Sequence, residues 1–368
     1  MDIQLSAENL STALGYVIGV IEKRSTLPIL GNILLRAEHD HLHIVGTDLE
    51  VEIESHLAGH IDGSGLCTLP ARKLHDICRV LPGDKPISIR ITGDSATVVA
   101  DRTRYRLAIL PAADFPRIDT HDRSVAFEMS AEELKEILEK TAFAMAQQDV
   151  RYYLNGLFFA VRSSDIVAVA TDGHRLAKYQ VDCQTSLDEE KHLIVPGKAI
   201  YELRRILGAI DQNTRVRVEL SDTTIYIATE RVEFLSKLVD GKFPNYERVI
   251  PIGLSKTARV SKDELRDALM RTALISNEKH RGVQLVFDAN HLKLLARNQE
   301  QETAEEDLGI DYEGEYTSIG FNIAYIMDVL QAIQDKSIQI EFEDAGKTTI
   351  WRGSESDRET FIIMPMRL

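Results

Sequence analysis

One hairpin pattern occurs three times along the chain, at intervals of about 125 residues. In its central copy, apolar runs at residues 157–161 and 166–170 are separated by a short polar turn, which is typical of two antiparallel strands. The second run continues into Thr171-Asp172, and the earlier copy ends in the same pair at Thr47-Asp48, whereas the later copy lacks it. A period of this length indicates three domain-sized units rather than a solenoid of short repeats.

Two helices are predicted in each unit. The first follows a serine, and in the second and third units Ser130 and Ser261 begin an S-x-x-E capping box, in which serine and glutamate satisfy free amides of the first turn. The second helix follows each hairpin region. It begins after Pro70 and Pro196, where a missing N–H costs little, and after the N-cap residue Asn322 in the third unit.

Two linkers divide the chain. The pair Phe-Pro closes the first unit at Phe115-Pro116 and the second at Phe243-Pro244, and proline cannot continue a central strand. Alternating segments supply further strands, so each unit should contain two helices and about eight strands, an α+β fold. The predicted domains are residues 1–124, 125–251 and 252–368.

Composition narrows the class of protein. The chain has 368 residues, of which 44% are hydrophobic and 27% charged, as in ordinary globular proteins. The N-terminus has no basic segment followed by an apolar core, and three cysteines without a CxxC spacing favour reduced, buried thiols, so a cytoplasmic location is expected. A net charge of −15 argues against a groove-reading DNA-binding protein, but it allows basic residues to gather on one inner face.

Several long motifs occur together: LPILGN at 27–32, MAQQDVRYYLNG at 145–156, ATDGHRLA at 170–177, KFPNYERVIP at 242–251, SNEK at 276–279 and MPMRL at 364–368. Over essentially its whole length the chain resembles the bacterial sliding clamp, the β subunit of the replicative DNA polymerase III holoenzyme. The resemblance implies three clamp domains per chain and a six-domain ring formed by a head-to-tail homodimer. It implies neither catalysis, nor a cofactor, nor a metal.

The resemblance also implies partners. These are double-stranded DNA without sequence specificity, the polymerase III α subunit, the clamp-loader δ subunit, and other proteins with clamp-binding motifs, namely repair polymerases, ligase and mismatch-repair proteins. A ring is held on DNA by topology, so an acidic chain needs only weak, sliding phosphate contacts.

A peptide-binding groove follows from the same resemblance. Apolar walls with adaptable methionines suit short peptides from different partners. Read without the resemblance, Met364 and Met366 are typical of edge-strand packing and His174 of a turn. The groove residues are Leu154, Thr171, Gly173, His174, Arg175, Leu176, Pro244, Val249, Ile362, Met364, Pro365, Met366 and Arg367.

Two further sets of residues are implied, one for DNA and one for the dimer interface. Arginine beside adjacent tyrosines at 151–153 can stack on bases, and the acidic run at 300–306 is either an interface or a solvated strand face. The DNA set is Arg24, Lys73, Arg79, Gln148, Arg151, Tyr152, Tyr153, Lys198, Arg204 and Arg205, with Arg271 as a further candidate. The interface set is Lys73, Ile77, Arg104, Tyr105, Leu107, Leu274, Ile275, Glu300 and Glu302.

Three alternative interpretations are an enzyme, a metal site and a peptide-binding adaptor. An enzyme is disfavoured because adjacent residues of the extended segment 172–175 point to opposite faces and no GxxxxGK[ST], HExxH or GxSxG occurs. His39, His41 and His43 could suggest a metal site, but His39 and His41 fall at a predicted hairpin tip, where a solvated turn is the better interpretation. An adaptor that binds peptides without encircling DNA remains the third possibility.

Overall fold

The computed structural model describes residues 1–22, 26–83, 85–119, 125–276 and 281–367, with the backbone alone at 125 and 126. Each repeat begins with a strand and a helix, continues with a hairpin, and places its second helix before its last three strands. The first repeat contains β1 Asp2–Ser6, α1 Ala7–Val17, β2 Asn32–Glu38, β3 His41–Thr47, β4 Val51–Ala58, β5 His60–Asp62, β6 Gly65–Pro70, α2 Ala71–Arg79, β7 Pro86–Thr92, β8 Ser95–Ala100 and β9 Thr103–Ala108.

The second and third repeats follow the same order without the short strand β5. The second contains β10 Val125–Ser130, α3 Ala131–Thr141, β11 Gly156–Val161, β12 Asp165–Thr171, β13 Arg175–Asp182, β14 Lys191–Pro196, α4 Gly197–Leu207, β15 Arg215–Leu220, β16 Thr224–Ala228 and β17 Val232–Lys237. The third contains β18 Lys256–Ser261, α5 Lys262–Ala273, β19 Gly282–Asp288, β20 His291–Arg297, β21 Thr303–Gly309, β22 Thr317–Asn322, α6 Ile323–Ala332, β23 Ser337–Phe342, β24 Thr349–Gly353 and β25 Glu359–Ile363. The predicted α+β class, with two helices and about eight strands per repeat, is confirmed.

The helices begin at the predicted start signals, and three of these starts are seen to be capped by a side chain. Ser6, Ser261 and Asn322 each accept a backbone N–H of the following turn, which satisfies an amide that the helix leaves free. Pro70 and Pro196 are instead the last residues of β6 and β14, and each helix begins at the next residue. Proline therefore precedes the first turn rather than lying within it.

The chain forms two compact units, and neither coincides with a single repeat. Residues 1–132 and 201–238 form the first unit, which contains a five-stranded sheet in the order β5-β1-β7-β8-β9. It also contains an eight-stranded sheet in the order β10-β15-β16-β17-β4-β3-β2-β6, in which β4 of the first repeat pairs with β17 of the second. Antiparallel pairing thus joins the first two repeats edge to edge.

The second unit contains residues 133–200 and 239–368. Its eight-stranded sheet runs β14-β11-β12-β13-β25-β24-β23-β18, so β13 of the second repeat pairs with β25 of the third. A four-stranded sheet in the order β21-β20-β19-β22 completes it. Every residue of β11 and all but the last of β12 are buried, as expected for strands covered on both faces.

None of the helices in the described part of the chain combines the length and apolar character that crossing a membrane requires.

Candidate functional site

The turn between β12 and β13 is fixed by its own side chains. Thr171 Oγ1 donates to the carbonyl of Arg175 at 2.6 Å and accepts the N–H of Gly173 at 3.1 Å. Asp172 Oδ1 accepts the N–H of His174 at 2.9 Å and that of Arg175 at 3.1 Å. Gly173 has a φ of +89°, a conformation that other residues rarely adopt. The predicted Thr-Asp-Gly-His-Arg segment is therefore a pre-shaped connection that leaves His174 exposed.

The C-terminal tail is bound beside this turn. In the β13–β25 pairing, Leu176 lies opposite Ile362, and the N–H of Met364 continues the ladder to the carbonyl of His174 at 2.9 Å. Beyond it, the N–H of Met366 donates to the carbonyl of Gly320 in β22 at 2.8 Å. The structure thus brings the predicted groove residues of the second and third repeats together within one compact unit.

The predicted groove residues divide into a floor and a rim. Leu154, Leu176 and Ile362 are 2%, 2% and 0% exposed and belong to one apolar cluster, so they form the floor. The rim consists of residues that remain partly or fully exposed: Thr171, Gly173, Pro244, Val249, Met364, Pro365, Met366 and Arg367. A shallow apolar surface with polar edges results, which suits an extended peptide better than an enclosed small molecule.

Arg175 was predicted as a groove residue, but its guanidinium is occupied within the chain. It pairs with Asp172 at 3.1 Å and with Asp328 of α6, and it donates to the carbonyl of Phe143 at 2.7 Å. The same group lies over the ring of Tyr325, 4.6 Å from its centroid. Arg175 therefore holds the second and third repeats together under the groove rather than offering free donors to a ligand.

The predicted arginine and tyrosine loop lies next to the groove. Arg151 contacts both carboxylate oxygens of Asp149 at 3.0 and 2.8 Å, and these hydrogen bonds lower the pKa of Asp149 to about 2. A Cβ atom on Gly173 would lie 3.2 Å from the Arg151 guanidinium, so the loop packs directly on the turn. Tyr152 is 56% exposed, while Tyr153 is half-buried. The loop is thus ordered by an ion pair and presents one aromatic ring to solvent.

The predicted basic residues of α2 and α4 differ in their surroundings. Arg79 and Arg204 lie exposed on α2 and α4, as do Lys73 and Lys198. Arg205, in contrast, donates to the carbonyls of Gly15 and Tyr16 and pairs with Glu202.

Two further candidates for DNA contact are Arg271 and Arg24. Arg271 pairs with Glu306 at 2.7 Å, so its charge is offset within the chain. Arg24 lies outside the described residues.

The predicted interface residues lie on β9 and α2, just after α5, and just before β21. Arg104 and Tyr105 are on β9, and Leu274 and Ile275 follow α5, where Leu274 is 83% exposed. Glu300 and Glu302 are exposed just before β21, and Lys73 is exposed on α2. Ile77 and Leu107 are 8% and 7% exposed, so the chain itself already covers these two.

A histidine cluster that the sequence did not indicate lies on β3 and β4. His43 Nδ1 is 2.9 Å from Glu54 Oε1, and His56 lies directly across the strand pair. Ligand atoms of these three residues lie within 4.8 Å of one another, as a metal site would require. Arg36 Nη2, however, lies 2.6 Å from Glu54 Oε1 and 3.1 Å from His43 Nδ1, so the protein's own cation fills the position.

A second unpredicted feature is a pocket of about 430 Å³ beside the groove. Phe158 and Phe243 stack in its wall with centroids 4.8 Å apart, and Arg162 and Glu190 form an ion pair at its edge. Phe158 lies within a continuous apolar run, so its place at a pocket wall has no signature in the sequence.

Comparisons with known proteins agree with this architecture. Family models for the DNA polymerase III beta subunit match the whole chain: the N-terminal domain at residues 1–119, the central domain at 128–245 and the C-terminal domain at 247–367. Three such domains, with no chemistry of their own, define a processivity clamp of a DNA polymerase.

Individual relatives lead to the same family. The beta sliding clamp of Pseudomonas aeruginosa is 42% identical over 369 residues, and that of Escherichia coli K12 is 40% identical, each with full coverage of both chains. A crystal structure of the sliding clamp from Pseudomonas aeruginosa bound to griselimycin superposes with a TM-score of 0.97 at 42% identity, again over 100% of both chains. The chain belongs to the β sliding clamp family, and the predicted family, fold and processivity function are confirmed.

Proposed function

We propose that two copies of this chain close head to tail into a ring around duplex DNA in the cytoplasm, and that the groove beside Thr171–Leu176 tethers replication and repair proteins to it. The observation that carries the proposal is that β9 and β21, two of the strands at sheet edges, occupy in their repeats the places of strands that pair at the junctions within the chain. Among the described strands, β9 pairs only with β8, and β21 pairs only with β20. Open edges of this kind are a liability unless another chain covers them.

The junctions within the chain show how such edges are joined. At the first junction Ile53 of β4 lies opposite Phe234 of β17, and at the second Ala177 of β13 lies opposite Phe361 of β25. Strand β21 occupies in the third repeat the place of β4 and β13, and β9 occupies in the first repeat the place of β17 and β25. Pairing β21 with β9 of a second copy repeats the same junction a third time and closes the assembly.

Charge complementarity supports this pairing. Applying the register of the two junctions places Tyr105 opposite Ala304 of the second copy, and Arg104 opposite Glu305. Strand β9 carries two arginines, Arg104 and Arg106, whereas β21 carries three consecutive acids. Oppositely charged residues placed across neighbouring strands stabilise the pair, so the two edges suit each other better than either suits its own copy.

Exposed basic and aromatic residues support weak contacts with DNA. Exposed Lys198 and Arg204 on α4, and the Gln148–Tyr153 loop, are the proposed contacts, with Arg205 excluded because its donors are used within the chain. Screened, sequence-independent contacts of this kind allow sliding, while the closed ring prevents loss from DNA.

The groove is proposed to bind peptide motifs of the partners named from the resemblance: the polymerase III α subunit, the clamp-loader δ subunit, repair polymerases, ligase and mismatch-repair proteins. The rim of proline, valine and methionine side chains supports this assignment, because soft apolar surfaces repack around different peptides.

The deciding experiment measures retention of loaded protein on nicked circular DNA before and after the DNA is linearised, together with the mass of the protein in solution. We expect a dimer that is retained on circular DNA and slides off the ends of linearised DNA. Equal, weak retention on both forms would leave a peptide-binding adaptor that does not encircle DNA.

A further inference from the structure

The second helix of every repeat carries an acidic residue at the same place, its sixth position. These residues are Asp76 in α2, Glu202 in α4 and Asp328 in α6. At the two junctions inside the chain, this acid forms an ion pair with an arginine. The arginine donates hydrogen bonds to backbone carbonyls at the end of the preceding repeat's first helix.

At the first junction the arginine comes from the same helix. Glu202 Oε2 accepts from Arg205 Nε at 2.9 Å, and the two terminal nitrogens of Arg205 donate to Gly15 at 2.6 Å and Tyr16 at 2.5 Å. These carbonyls belong to the last turn of α1, where backbone acceptors have no partner within the helix and the helix dipole is negative. Arg205 is therefore a C-terminal cap supplied by the next repeat.

At the second junction the arginine comes from elsewhere, but the arrangement is the same. Asp328 of α6 pairs with Arg175, which donates to the carbonyl of Phe143 at 2.7 Å, just beyond the end of α3. The position of α6 that corresponds to Arg205 is Gln331, so α6 lacks an arginine of its own. The groove turn supplies it instead.

In the first repeat the acid and the arginine are both present, but no helix end is bound. Asp76 and Arg79 occupy in α2 the positions of Glu202 and Arg205 in α4. Both are exposed, and neither forms an ion pair or side-chain hydrogen bond within the described part of the chain. Among the described residues, no arginine from another element donates to the end of α5, where the carbonyls of Thr272 and Ala273 already accept the N–H groups of Ile275 and Ser276, and exposed Leu274 follows the helix.

We propose that Arg79, oriented by Asp76, caps the C-terminal end of α5 in the second copy of the ring, by donating to the carbonyls of residues 270 and 271, which correspond to Gly15 and Tyr16 of α1. The inference rests on the proposed dimer and adds a contact to it. It assigns Arg79 to the subunit interface rather than to DNA. The occupant is a second copy of this chain because, at both junctions within the chain, an acid at the same helix position pairs with an arginine that donates to a carbonyl at the end of the preceding repeat's first helix.

The test is the dissociation constant of the DNA-free dimer, measured by sedimentation over a dilution series. Arg79→Gln should raise it at least about tenfold, since it removes charged hydrogen bonds to a helix end. Arg79→Lys should not restore it, because an ammonium group cannot reproduce the forked contact with two carbonyls. Asp76→Asn should weaken the dimer less than Arg79→Gln, since the arginine itself remains.

Arg204→Gln is the matched control, with the same loss of charge at an exposed residue of α4. It should leave the dimer unchanged. A dissociation constant for Arg79→Gln equal to that of Arg204→Gln would overturn the cap and leave the ring intact. A wild-type protein that is monomeric at micromolar concentration would overturn the proposed ring and the cap with it.

Discussion

At the scale of single residues, the ion pair between Lys140 and Glu359 is nearly sealed from water. The two residues are 5% and 1% exposed, their charged atoms are 2.5 Å apart, and Glu359 Oε1 also accepts the N–H of Gly353 at 3.1 Å. Removing one member leaves the other as a buried charge. We expect Glu359→Ala to lower the free energy of unfolding by about 3–5 kcal/mol, measured by urea denaturation of the transition that includes α3 and β25.

The control for this prediction is the exposed pair of Lys347 and Asp344. Lys347→Ala should change stability by less than about 0.5 kcal/mol, because surface pairs are screened by solvent. A joint substitution, Lys140→Met with Glu359→Leu, should recover most of the loss, since no charge is then buried. An undiminished stability of Glu359→Ala alone would show that water reaches Lys140.

His43 should make stability depend on pH. Burial, followed by Arg36 and His56, lowers the pKa of His43 below its ordinary value of 6.5, while Glu54 opposes the shift. Between the lowered folded pKa and 6.5, the unfolded chain binds more protons than the folded one, so stability falls as pH drops through this window. Thermal denaturation at stepped pH should show the slope in the wild type and a smaller slope in His43→Gln. His60→Gln, at an exposed histidine of β5, should retain the wild-type slope.

Arg175 is a residue whose place could be predicted from the sequence but whose side-chain contacts could not. The motif around it was sufficient to place the residue near the groove. Its partners Asp328 and Phe143 are far away in the sequence, and the direction of a guanidinium depends on such tertiary neighbours. A motif can thus predict that a residue belongs to a site, although the side chain of that residue contacts other parts of the chain instead.

At the scale of elements, local signals predicted the helices and hairpins well. Serine and asparagine caps act within one turn, and apolar alternation acts within one strand, so both can be read from a short window. The eight-stranded sheets could not be predicted in this way. The pairing of β4 with β17 joins residues about 180 positions apart, and an edge strand that pairs with another repeat has the same alternation as one that does not.

Deletion of the C-terminal tail should distinguish partner binding from dimerisation. Deleting residues 364–368 removes the methionine and proline rim and the hydrogen bond from Met364 to His174, while β9, β21 and α5 are untouched. We expect binding of a polymerase α-subunit peptide to be lost in fluorescence anisotropy, with the dimer mass unchanged. Full peptide affinity in the truncated chain would remove the tail from the groove.

At the scale of the whole molecule, one junction is used repeatedly. Each of the two junctions within the chain contains paired edge strands, an acidic residue on a second helix, and a helix end that an arginine caps. Among the described strands, β9 and β21 are the corresponding edges that remain unpaired. In the proposed ring, a second copy would supply the partner of both halves at once.

The apolar part of that closure is carried by Leu274 and Ile275 after α5. Leu274 is 83% exposed in the single chain, and covering such a side chain is worth about 1.5–3 kcal/mol. We therefore expect Leu274→Ala with Ile275→Ala to raise the dimer dissociation constant more than about tenfold, seen as monomer in mass photometry at nanomolar concentration. Ile252→Ala, at a linker residue that is 96% exposed, is the matched control and should remain dimeric. If both variants stay dimeric on dilution, the contact after α5 contributes nothing to closure.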